Sequence, residues 1–175
     1  MEPDFSLLVR HKAMDGSTIY TIGHSNHALE KLVELLRQHS VEMAVDVRSS
    51  PHSRYNPQFN RESLVAALAE NGIEYAYYGN SLGGRPGDPS CYDENGVNYV
   101  RIRETEWFND GLACVSWKAG KKTVALLCAE EDPHRCHRHH LLTQELLKKG
   151  ARVLHIRGDG SLEEGTKNQE QLHLL

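Results

Sequence analysis

The chain lacks any apolar run long enough to cross a bilayer. The longest, Thr123 to Ala129, has seven residues, whereas a helical span needs about 20. No transmembrane helix and no membrane partner are therefore expected. The first residues, Met1–Arg10, have neither the basic start nor the long apolar stretch of a signal peptide, so cytoplasmic residence is the expectation. A basic excess is also missing. The formal charge of −4 argues against a broad nucleic-acid-binding surface, although it leaves room for a local basic pocket. Cysteine is sparse, at four residues (Cys91, Cys114, Cys128, Cys136), and without an export signal these read as reduced thiols. Internal repeats and low-complexity blocks are absent.

What remains is the composition of an ordinary globular domain, 39% hydrophobic and 25% charged over 175 residues. Residues 1–17 read as an N-terminal arm, 18–160 as a single α/β domain and 161–175 as a polar C-terminal tail. Four apolar runs predict buried strands, at Thr18–Gly23, Val41–Val47, Thr123–Cys128 and Arg152–Ile156, and Ile73–Tyr78 adds a fifth. Between them, Leu29, Leu32, Val33 and Leu36 recur at the spacing of an amphipathic helix, with Ser25 or Asn26 as its cap. Asn60 to Asn71 reads as a second helix and Tyr99–Lys118 as a third, interrupted at Gly111. A fourth begins within Pro133–Cys136 and runs to Lys149. Gly79 to Gly96 is a long Gly- and Pro-rich loop. Strands alternating with helices imply right-handed βαβ crossovers. The expected fold is an open, mainly parallel five-stranded sheet with helices on both faces, a Rossmann-like three-layer α/β architecture.

Each buried run ends in chemically capable side chains: His24-Ser25, Asp46-Val47-Arg48, Cys128-Ala129-Glu130 and Arg157-Gly158-Asp159. Open α/β sheets bind ligands at the carboxyl ends of their strands. This coincidence is the main functional signal. His24, Asp46 and Glu130 are candidates for proton handling, and Cys128 or Cys136 for nucleophile, metal ligand or redox group. Arg48, Arg54, Arg135 and Arg138 are candidate anion contacts, because guanidinium forks match phosphate and carboxylate. Ser25, Ser53 and His137 supply further polar groups over the same edge, and Gly83 and Gly84 allow backbone to approach a ligand closely. The competing structural reading pairs Arg135 and Arg138 with Glu130, Glu131 or Asp132.

The segment Cys128 to Arg138 permits two sharper readings. A phosphatase-type loop needs a cysteine, five residues and an arginine, but six residues separate Cys128 from Arg135. A metal centre could draw on Cys128, Cys136, His137 and His24. Against it, adjacent residues on a helix diverge by about 100°, so Cys136 and His137 would not share an ion, and no metal ligand or cofactor is assigned.

The succession Thr21-Ile-Gly-His24-Ser25, Asp46-Val-Arg48-Ser-Ser-Pro51, Ser53-Arg54, Leu82-Gly-Gly84, Cys128-Ala-Glu130, Cys136-His-Arg138 and His155-Ile resembles the domain-of-unknown-function 488 family, from about Thr18 to Gly160. The resemblance implies an α/β domain with its signature residues gathered near the strand ends, and it names no reaction. The leading expectation is an enzyme or enzyme-like domain acting on a phosphate-bearing small molecule or a nucleic acid. Its rivals are a non-catalytic nucleotide or nucleic-acid binding module and a Cys/His metal protein. No oligomeric state is expected over another.

Overall fold

A computed structural model describes residues 16–169, so most of the expected N-terminal arm and the end of the expected tail lie outside the described residues. The domain is a three-layer α/β sandwich. Its strands are β1 (Thr18–Gly23), β2 (Met43–Asp46), β3 (Glu74–Tyr77), β4 (Tyr92–Asp93), β5 (Gly96–Val97), β6 (Val124–Cys128), β7 (Arg152–Ile156) and β8 (Leu162–Glu164). The main sheet runs β3-β2-β6-β1-β7-β8, with β4 and β5 forming a separate two-stranded ribbon. All main-sheet neighbours pair in parallel except β7 and β8. The central strands β2 and β6 are buried along their length because both faces are covered.

The α-helices are α1 (Leu29–Gln38), α2 (Arg61–Glu70), α3 (Gly79–Leu82), α4 (Tyr99–Arg103), α5 (Glu106–Ala119) and α6 (Gln144–Lys148). One core places Leu32, Val33 and Leu36 of α1 and Leu64 and Leu68 of α2 against Ile22, Ala44 and Leu127 of the sheet. The other places Phe108, Leu112 and Val115 of α5, with Leu141, Leu142 and Leu146, against Ile19, Val45, Val124 and Leu126. Alternate residues of each strand thus feed opposite cores. Among the described residues no helix is long and apolar enough to cross a membrane.

The structure corrects the sequence reading at several elements. The sheet has six strands rather than five, because Leu162–Glu164, placed in the polar tail, pairs antiparallel with β7. Its outer position explains the missing apolar signal: an edge strand tolerates charge, and Glu164 pairs with Arg152 across the ladder at 2.8 Å. The first helix starts at Leu29 with Ala28 as its cap residue, so neither Ser25 nor Asn26 caps it. The third helix divides at Glu104 and Thr105, not at Gly111. Gly111 lies inside α5, where a Cβ would sit 2.6 Å from the Ser81 hydroxyl oxygen, so its small size serves packing. The Gly79–Gly96 stretch contains α3 and the β4 strand of the ribbon.

The last expected helix is also divided. Asp132 accepts from the His134 N–H and Pro133 starts a single 3₁₀ turn to Arg135. Cys136 is extended, at φ −135° and ψ 150°. A π-helical segment, Arg138–Thr143, then leads into α6. Such segments are rare and concentrate at functional sites.

Candidate functional site

Strand order decides which candidates meet. β6 lies between β2 and β1, with Gly23 level with Cys128 and Asp46 level with Leu127. Cys128 therefore leaves the sheet between the His24 and Asp46–Arg48 strand ends. Gly23 makes the next turn feasible: any Cβ there would collide with the Glu130 carbonyl, which crosses over the end of β1.

On one side is a closed polar network. Asp46, fully buried, accepts from Arg48 Nε at 2.9 Å and Nη2 at 2.7 Å, from the Arg48 amide at 3.1 Å and from the Tyr75 hydroxyl at 2.7 Å. Arg48 Nη1 donates to the Phe59 carbonyl at 2.9 Å and to His24 Nε2 at 3.2 Å. His24 Nδ1 donates to the Ser25 carbonyl at 2.8 Å, and the ring stacks on Phe59 with centroids 4.4 Å apart. Burial opposes the Arg48 charge, but Asp46 more than compensates and its pKa rises. Burial, with the nearby Arg48 charge, lowers the His24 pKa to about 4. His24 is thus a neutral imidazole with both ring nitrogens engaged. Burial and the Asp46 carboxylate push the Tyr75 hydroxyl up.

On the other side, Cys128, Cys136 and His137 are brought together. All three are buried, and their donor atoms lie within 4.8 Å of one another. His137 Nδ1 is 3.7 Å from each sulfur. His137 Nε2 donates to the Leu82 carbonyl at 3.0 Å, which leaves the Nδ1 lone pair facing the thiols when the ring is neutral. The divergence expected of adjacent Cys136 and His137 fails because Cys136 is extended rather than helical. The hydrogen bond from Cys128 draws Cys136 well below the usual thiol range, against burial and with help from His137 and the Arg138 charge. The same bond, with burial, pushes Cys128 well up.

Arg138 is fully buried. Its Nη1 donates to the Thr21 hydroxyl at 3.0 Å, and its Nη2 to the Glu131 carbonyl at 3.1 Å and to the Glu130 carbonyl. Its Nε has no partner, and among the described residues it forms no ion pair with a carboxylate. The Arg138 charge favours ionisation of both thiols, and the Arg138 backbone N–H points at Cys136 Sγ from 3.5 Å.

The other sequence candidates disperse. Glu130 turns its carbonyl inward toward Arg138 while the residue itself is exposed. Arg54 and Arg135 are exposed, Arg54 over the Tyr55 ring at 5.3 Å. The Ser53 hydroxyl accepts from the Tyr55 and Asn56 amides and shapes its own loop. Ser25 holds φ 48° and its amide bonds the Ala129 carbonyl at 2.7 Å. Gly83 and Gly84 do permit close approach, but to Ser49 and His137 respectively. A groove of about 710 Å³ lies between α1 and α2, and a 400 Å³ depression lies beside Glu131 and Arg157. Neither is lined by the thiol cluster.

Sequence reasoning gave Thr21 and His155 no role beyond the motifs that carry the resemblance, and it did not single out Phe59. Thr21 links Arg138 to His155, whose Nδ1 is 2.7 Å from the same hydroxyl. The threonine within an otherwise apolar strand, directly before Ile-Gly-His, was the available signal.

The pattern of the family described as "Domain of unknown function DUF488" matches residues 28–144, well over half of the chain and including Asp46, Arg48 and the whole thiol cluster. The chain belongs to the DUF488 family. No curated protein and no solved structure gives a match.

Proposed function

We propose that this DUF488 protein is an enzyme-like α/β domain whose working group is the Cys136 thiolate, with Cys128 holding the shared proton and His137 available to exchange it. The observation that carries this reading is the charge of Arg138. A fully buried guanidinium without a carboxylate costs several kcal/mol unless another anion lies beside it. Cys136, whose sulfur accepts the Arg138 backbone N–H and whose ionised form the Arg138 charge favours, supplies that anion. A thiolate held this way offers its electron pair to an electrophilic guest at the carboxyl edge of the sheet.

A phosphate clamp draws less support from the geometry. The Arg48 and Arg138 guanidinium groups already donate to internal acceptors, and Arg54 and Arg135 lie at the surface.

Alkylation of the reduced protein by iodoacetamide, localised by mass spectrometry across pH, tests the proposal. Cys136 is expected to keep its labelling rate down to about pH 6, while a free thiol such as glutathione, alkylated in parallel, slows about tenfold per pH unit below the ordinary thiol range. A Cys136 profile that parallels that of the free thiol overturns the reading.

A further inference from the structure

We infer that Cys128, Cys136 and His137 form a three-donor site for a soft divalent cation, Zn²⁺ by the character of the donors, with a fourth coordination position open. The inference rests on the thiolate reading above and names its guest.

Geometry carries it first. Tetrahedral zinc with Zn–S near 2.3 Å and Zn–N near 2.0 Å places neighbouring S and N donors about 3.5 Å apart. Both His137 Nδ1 to Sγ separations are 3.7 Å, so two edges of the tetrahedron exist to within a few tenths of an ångström. The third edge falls inside the 4.8 Å limit shared by all three donors.

The support behind His137 is a second, independent observation. A metal-bound imidazole gives its other N–H to a carbonyl or carboxylate, which fixes the tautomer and the ring plane. The Leu82 carbonyl already holds His137 Nε2. Gly84 packs against the opposite side of the ring, where a Cβ would come 2.8 Å from Cγ. Two thiolates and one imidazole suit Zn²⁺ better than the harder Mg²⁺ or Ca²⁺, which select oxygen.

The described chain contributes three His, Cys, Asp or Glu donors to the cluster and no fourth. Each keeps between 6% and 9% of its surface exposed, and the fourth position falls to a small ligand from outside the cluster. Charge selects that ligand. Two thiolates balance the ion, and the Arg138 charge acts on both sulfurs, so the fourth position favours an anionic ligand.

Cobalt(II), a spectroscopic substitute for zinc, tests the site directly. Titrated into the reduced wild-type protein, it is expected to bind as a single equivalent, with thiolate-to-cobalt charge-transfer absorbance and intense tetrahedral d–d bands. Both signals should vanish in Cys128→Ser and Cys136→Ser and persist in Cys91→Ser. Absence of these bands in the wild type, or their survival in both ligand variants, overturns the inference. Thiolate absorbance of the metal-free wild type separates the two claims. Its presence without cobalt bands removes the metal site and leaves the thiolate centre standing, while its absence removes the thiolate centre itself.

Discussion

Arg138 reaches from the segment after β6 to the middle of β1, where its Nη1 donates to the Thr21 hydroxyl at 3.0 Å. One side chain thereby ties the loop carrying Glu130 and Glu131 to the sheet and places a positive charge beside the thiols.

Removing that charge should affect stability and thiol ionisation together. Arg138→Met fills similar volume without charge and leaves the Glu130 and Glu131 carbonyls without their donor. An unmet buried acceptor costs about 1–3 kcal/mol. Urea denaturation should show a loss of that order, and the thiolate signal of Cys136 should shift toward the ordinary thiol range. An unchanged thiol titration would detach Arg138 from the centre.

Asp46 and Arg48 form an ion pair that excludes water from both partners. Breaking one half of a buried pair costs about 3–5 kcal/mol, because the other charge stays buried. Asp46→Asn should therefore lower stability by that order in denaturant titration. A loss below about 1 kcal/mol, the worth of a surface pair, would show that this network is solvated.

Acid should destabilise the fold through two buried histidines. Burial lowers the pKa of both His24 and His155 from 6.5 to about 4. His24 faces Arg48, Asp46 and His27, and His155 faces Arg138, His139, Glu163 and His134. Between those values the unfolded chain binds protons that the native state refuses. Stability is thus complete above about pH 6.5 and falls as pH drops toward 4. Each histidine accounts for about 2 kcal/mol between pH 7 and pH 5. Denaturant titrations at both values check the sum, and His155→Gln should remove its share. Equal stability at both values would contradict the neutral, buried histidines.

Gly84→Ala isolates the support behind His137. Its Cβ would stand 2.8 Å from the ring, which has no flexible end to yield. The ring must tilt away from the Leu82 carbonyl, and cobalt affinity is expected to fall about tenfold with little change in the melting temperature. Unaltered affinity would show that ring orientation does not control the centre.

The sequence made the strands and their reactive ends legible because buried parallel strands are continuous apolar runs that stop where the chain meets solvent. His24, Asp46, Arg48 and Cys128 were found this way, before their neighbours were known. Strand order is long-range, so nothing local shows that β6 enters between β2 and β1 and brings Cys128 beside both. The convergence of Cys136 and His137 was hidden for a local reason. Helical spacing would separate the two side chains, whereas the turn begun by Asp132 and Pro133 delivers Cys136 in extended conformation. The arginines were legible as cations but not as internal ones, because Thr21 and the Glu130, Glu131 and Phe59 carbonyls that hold them give no charge signal.

The central claim is that one thiol of the Cys128–Cys136 pair is ionised at neutral pH, and thiolate ultraviolet absorbance in the metal-free, reduced protein measures this without needing access to the sulfur. A pH titration of wild type and Cys136→Ser should show about one thiolate per chain persisting below pH 6 in the wild type and lost in the variant. A wild-type signal that emerges only near the ordinary thiol pKa of about 8.5, or one that is identical in Cys136→Ser, would contradict the account.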